Sequence, residues 1–145
     1  MNKIKIIYVC LIIFLIVFIG LTFLKMRHQE EFKQKTVLAG EIHKGLLHLM
    51  FDLGHARKNS IQGVPADGQW YHRVVFYQTQ QGFLTYLVKE GRMLRISSQK
   101  TMLIADHIDV LRLRRLKQTP DILEVQIEAQ KDVSLISNLR IRLSH

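Results

Sequence analysis

Three residues of one predicted helix have side chains that could bind a metal ion: His48, Asp52 and His55. Their spacing of four and then three residues places them on one helix face. A closed zinc site needs a fourth ligand, and none is near in sequence. The glutamate between paired histidines that marks the zincins is also missing. A solvated face with a weak carboxylate–histidine pair is the favoured interpretation, and we expect no metal.

A second polar cluster, Asp106-His107-Ile108-Asp109, contains groups that could transfer protons. Acid–base catalysis also needs a pocket, whereas polar groups at the start of a strand usually satisfy a turn. The sequence has no glycine-rich phosphate loop and no nucleophile elbow. We therefore predict that the protein is not an enzyme and has no catalytic residue, no cofactor and no small-molecule substrate.

Composition limits the class of protein. The chain has 145 residues, 48% of them hydrophobic, with 2 prolines and 8 glycines, which excludes a disordered or collagen-like chain. A single cysteine, Cys10, excludes an internal disulfide framework and a cysteine-based zinc site. The net charge of +9 is compatible with binding to nucleic acid or anionic lipid.

The residues from Ile6 to Leu24 form an uncharged apolar run flanked by Lys5 and Lys25. About 20 helical residues cross a hydrocarbon layer of roughly 30 Å, so this run predicts a single membrane span. The side on which the rest of the chain lies is ambiguous. The count of positive charges favours a cytoplasmic C-terminal part. By contrast, a short N-terminal segment such as the five residues before this span usually remains in the cytoplasm of a bacterium, which would place the C-terminal part on the other side.

An amphipathic pattern continues from the span without a proline, and predicts one helix from about Ile4 to Ser60, roughly 85 Å long at 1.5 Å per residue. Its apolar stripe steps by three or four residues, which is helical spacing. We expect the stripe to form the core between the helix and a sheet; its members are Leu38, Ile42, Leu46, Leu49, Leu53 and Ala56.

Three further apolar residues, Leu47, Met50 and Phe51, lie away from this stripe. Scattered surface hydrophobics are common, but a contact surface for another subunit has the same appearance. The sequence leaves both readings open.

Residues 61–68 form a loop by composition, and after it the hydrophobic period changes to two, which predicts strands. The fold class is therefore α+β, with a long N-terminal helix packed on an antiparallel meander of five or six strands. The expected strands are 69–79, 83–88, 92–97, 108–116, 122–129 and 139–143. We divide the chain into a cytoplasmic head and transmembrane helix (1–25), an amphipathic continuation of the helix (26–60) and an antiparallel β-sheet domain (61–145).

Basic residues concentrate on the predicted outer face of the last strands. Arg112, Arg114 and Lys117 lie on one strand and Arg140 and Arg142 on another, with Glu124 and Glu128 on the strand between them. Opposite charges on neighbouring strands stabilise a sheet. An Arg–Glu–Arg ladder is thus favoured over a nucleic-acid site.

The layout resembles the pilin-like superfamily, in particular the J-type minor pseudopilins of type II secretion and the W-type minor pilins of type IV pili. The resemblance lies in the stretch from Leu46 to Ile61, with its Asp52-Leu53 and Ala56-Arg57 pairs, and in the closing strands after Leu103. It implies a structural subunit in a bacterial inner membrane, with a periplasmic C-terminal domain. The implied partners are other pilin-like subunits, the assembly platform and the lipid bilayer, in a secretion, pilus or DNA-uptake (competence) machine.

The start of the apolar run differs from pilin precursors. It lacks the glycine before the run and the glutamate five residues into it, so cleavage by a prepilin peptidase is not predicted. Two alternatives therefore stand beside the pilin-like subunit. One is a single-pass accessory or scaffold protein whose β-domain is an interaction module, and the other is a membrane-tethered DNA-binding subunit, which is not favoured.

Overall fold

The computed structural model describes residues 2–56 and 60–143, with side chains described from residue 11 onward. The chain begins with one unbroken helix, α1 (Asn2–Gly54). It ends at Gly54, six residues before the predicted end at Ser60, because a turn follows at His55. The chain divides into two compact units, Met1–Gln34 and Lys35–His145.

The first unit is helical and strongly apolar. Among the described residues, Leu11–Gly54 is the one helix long and apolar enough to cross a membrane, with a mean hydropathy of 1.9 over its most apolar 18 residues. The large apolar side chains from Leu11 to Leu24 are more than half exposed. Length and composition of this kind fit both a membrane span and a signal anchor. The side chains from Ile6 to Cys10, which belong to the predicted span, lie outside the described part of the chain.

The second unit contains seven strands in two antiparallel sheets. The first sheet has the order β1-β2-β3-β4 and the second the order β5-β6-β7. The strands are β1 (Arg73–Gln78), β2 (Gly82–Lys89), β3 (Arg92–Ile96), β4 (Thr101–Asp106), β5 (Ile108–Arg115), β6 (Ile122–Gln130) and β7 (Ser134–Arg142). The α+β class with antiparallel strands is confirmed, but the expectation of a single meander of five or six strands is wrong.

The break between the sheets falls at the Asp106-His107 corner. His107 has a left-handed φ of 57°, and its N–H donates to the Asp106 side chain at 2.9 Å. The Asp106 N–H donates to Oε2 of Glu41 on α1 at 2.8 Å. Partial burial raises the pKa of Glu41, but its hydrogen bonds to Lys44 and Asp106 outweigh this effect and leave the pKa below its usual value. This cluster satisfies a corner of the fold, as expected for polar groups at a strand entry.

The core lies between α1 and the inner faces of both sheets. From the predicted stripe, Leu38, Ile42, Leu49 and Leu53 are buried, while Leu46 and Ala56 are partly buried against them. Inward residues of the strands complete the core, among them Phe76, Leu84, Tyr86, Met93, Leu111, Leu113, Leu123, Val125 and Ile127.

Gly45 is a glycine of α1 at which an added Cβ would contact side chains of the strands. A Cβ built on Gly45 would lie 2.8 Å from Sδ of Met93 and 3.6 Å from Cδ1 of Ile127. A Cβ on Gly40 would meet nothing within 4 Å. A side chain at Gly45 would therefore require the Met93 side chain to shift, whereas Gly40 carries no such constraint.

Candidate interaction surface

Three neighbouring apolar side chains of α1 are exposed: Leu47 by 51%, Met50 by 42% and Phe51 by 66%. We call them the outer patch. They belong to the same helical turns as Leu49 and Leu53, which are at most 3% exposed. The helix is therefore apolar on two faces, and only one of these faces is covered by the fold.

A groove of about 560 Å³ runs beside the outer patch. Leu47, Phe51 and Met102 give it apolar walls, and its polar lining is His48, Asp52, Gln81, Arg95 and Lys100. Leu47 and Phe51 of the patch thus form one wall of a concave, partly cationic surface. Such a surface can bury an apolar side chain of a partner and pair with a carboxylate beside it.

The floor of the groove is a buried ion pair between α1 and the first sheet. Oδ2 of Asp52 lies 2.5 Å from Nε of Arg95, and the Tyr86 hydroxyl donates to the same oxygen at 2.7 Å. Nε2 of Gln78 donates to the Asp52 backbone carbonyl at 2.6 Å, and Arg95 also donates to Gln81. Three strand residues, Gln78 of β1, Tyr86 of β2 and Arg95 of β3, therefore hold the end of the helix in one position.

The protonation of this cluster follows from its surroundings. Burial, followed by the hydrogen bond to Asp52, raises the pKa of the Tyr86 hydroxyl. The hydrogen bond to Asp52 also raises the pKa of Arg95. Tyr86 is therefore a neutral donor and Arg95 a permanent cation throughout the physiological range, and both donate to Asp52.

The interpretation of Asp52 as part of a solvated helix face is wrong, since Asp52 is 4% exposed and paired with Arg95. His48 and Asp52 both line the groove, whereas Nδ1 of His55 lies 2.8 Å from the Phe51 carbonyl oxygen. Within residues 2–56 and 60–143 no group of three or more metal-ligating side chains could hold an ion.

Sequence reasoning missed Tyr86, Arg95 and Gln78 as partners of Asp52. A signal was present, because Asp52 follows Leu49 by three residues and precedes Leu53, which places it on the buried stripe. Arg95 lies two residues after the buried Met93 on β3, so both side chains face inward. An acid and a base on two inward faces would have suggested the pair.

The expected Arg–Glu–Arg ladder is present in part on the second sheet, at Glu124. Glu124 accepts from Nε of Arg114 at 2.6 Å and from Nε of Arg140 at 2.8 Å. The Arg114 guanidinium also lies 4.4 Å from the ring centroid of Trp70. The hydrogen bond from Arg114, and then that from Arg140, lowers the pKa of Glu124. Nε of Arg112 is buried without a hydrogen-bond partner among the described residues.

Comparison with known proteins does not assign a family. No family model matches the chain, and no solved structure matches it. A segment of 79 residues, 54% of the chain, is 34% identical to the human laminin subunit alpha-1. The chain spans about 2% of the length of that curated relative, a coverage far too small to define membership.

Proposed function

We propose that the protein is a membrane-anchored, pilin-like structural subunit that assembles with similar subunits through the outer patch. One observation carries this proposal. Leu47 and Phe51 are exposed by 51% and 66% on a helix whose opposite face is fully buried. Burying such side chains in an interface is worth roughly 1.5–3 kcal/mol each, so the uncovered face favours association.

The location is part of the same proposal. The candidate span in the first unit anchors the chain in a bacterial inner membrane, and the β-sheets lie in the periplasm. Other pilin-like subunits and the membrane assembly platform of a type II secretion or type IV pilus machine are the partners. The sequence resemblance and the α+β layout with a long N-terminal helix support this assignment.

Two measurements test the proposal. A reporter enzyme that is active only in the periplasm, fused after residue 145, should be active. Chemical crosslinking in the native membrane should recover pilin-like subunits with the full chain. A fusion active only in the cytoplasm, or recovery of none but unrelated envelope proteins, would contradict it.

A second candidate function is a single-pass accessory or scaffold protein of a membrane complex. The groove with its Asp52–Arg95 floor favours it, because a fixed concave surface suits one specific partner. Crosslinking separates the candidates, since a scaffold recovers a single envelope component in fixed ratio. The DNA-binding alternative has less support. Arg114 and Arg140 of the basic face form ion pairs with Glu124, which reduces the positive charge available to DNA phosphates.

A further inference from the structure

The second sheet ends in a long strand, β7. β7 has nine residues, and β6 pairs with it along its whole length. In the part of the chain that the structure describes, no strand or bridge pairs with the opposite edge of β7. An edge of this kind presents free backbone N–H and C=O groups to any extended segment that approaches it.

A groove of about 300 Å³ lies between α1 and the first half of β7. Its walls are mainly apolar; they are formed by Ala39, Ile42, His43, Leu46, Leu135, Ile136 and Ser137. A strand added to β7 would point alternate side chains toward this groove. Apolar residues at those positions would be buried there.

The outer face of β7 adds a charge preference. Arg140 remains 75% exposed although it pairs with Glu124 of β6. Arg142 is exposed and lies opposite the uncharged Ile122, and no carboxylate of the described residues pairs with it. The charges thus alternate from Arg114 on β5 through Glu124 on β6 to Arg140 on β7, and the last strand presents positive charge. Carboxylates on an added strand would continue its alternation of charge.

We propose that the free edge of β7 binds an extended partner segment that alternates apolar and acidic residues, by addition of a strand to the sheet. The apolar side chains enter the groove beside Leu135, and the carboxylates face Arg140 and Arg142. β6 already contacts the other edge of β7 with this chemistry, since its inward residues are apolar and Glu124 and Glu128 face outward. The inference does not depend on assembly through the outer patch.

A peptide with the β6 sequence, residues 122–130, is therefore a suitable probe. We expect saturable binding of the end-blocked, fluorescently labelled peptide to the full chain in neutral detergent, measured by anisotropy. Arg142→Glu should weaken binding at least fivefold. Arg73→Glu, an equal charge change at an exposed position of β1, should change it less than twofold. A peptide with lysine at both glutamate positions should prefer the Arg142→Glu chain.

Several results would overturn the inference. Equal binding of a peptide with proline in place of Val125 would exclude backbone pairing. Equal effects of Arg142→Glu and Arg73→Glu would indicate unspecific charge attraction. If the chain dimerises and the peptide blocks the dimer, the edge binds a second copy of the chain. If the peptide does not bind, the inference is wrong.

Discussion

Oδ2 of Asp52 on the helix lies 2.5 Å from Nε of Arg95 on β3, and these side chains are only 6% and 9% exposed. The pair links the last turn of α1 to the middle of the first sheet. It also forms the floor of the groove beside the outer patch. The side chains offered to a partner are therefore positioned by a buried ionic contact.

Removing one member of this pair should destabilise the protein strongly. Asp52→Ala leaves the Arg95 guanidinium buried without its carboxylate, and such changes cost about 3–5 kcal/mol. Denaturant unfolding of the full chain in detergent measures the loss. The double variant Asp52→Leu/Arg95→Met should be more stable than Asp52→Ala, because no charge remains uncompensated. A double variant less stable than the single one would contradict this account.

The close approach at Gly45 predicts opposite effects for two similar substitutions. Gly40→Ala should stabilise the helix by up to about 1 kcal/mol, since alanine has the higher helix propensity and a Cβ there meets nothing. Gly45→Ala should lose that gain, because its Cβ would lie 2.8 Å from Sδ of Met93. Thermal unfolding of the two variants compares them directly. Equal stabilisation would show that Met93 moves aside without cost.

The ladder on the second sheet predicts a specific acid sensitivity. Bonds from Arg114 and Arg140 lower the pKa of Glu124 below the usual 4.5. A lowered folded-state pKa contributes stability that is fully present above the unfolded pKa and is lost as pH falls through the folded one. Wild type should therefore exceed Glu124→Gln in stability above about pH 5.5. The urea midpoints of the two should converge below pH 4.5, and a constant difference down to pH 2 would contradict the pairing.

Periodicity in the sequence predicted the elements that alternate strictly. Leu123, Val125 and Ile127 are buried as their spacing indicated, and the helix carries its buried stripe where the three- and four-residue steps placed it. β4 was missed because its exposed Leu103 next to the buried Ile104 and Ala105 interrupts the alternation. The division into two sheets was missed because it depends on the left-handed backbone of His107, a residue type that does not require that conformation.

The candidate site was predicted in part. Leu47, Met50 and Phe51 lie off the core stripe in the sequence, and the structure exposes all three. The ionic floor of the groove could not be derived in the same way. Asp52 and Arg95 are 43 residues apart, and their contact depends on how the helix is placed against β3.

The central claim is that the outer patch is an assembly surface, and a matched pair of double variants tests it most directly. Leu47→Ser/Phe51→Ser removes two exposed side chains, while Leu49→Ser/Leu53→Ser removes two buried ones at the same helical spacing. Crosslinking identifies the partner. Sedimentation of the full chain with that partner, purified and not crosslinked, gives the association constant in detergent, and thermal unfolding gives the stability. We predict that the outer pair weakens association by a kcal/mol or more, with only a few degrees of change in Tm, whereas the inner pair unfolds the sheet-containing unit. Unchanged association of the outer pair, or a loss of stability as large as that of the inner pair, would contradict the account.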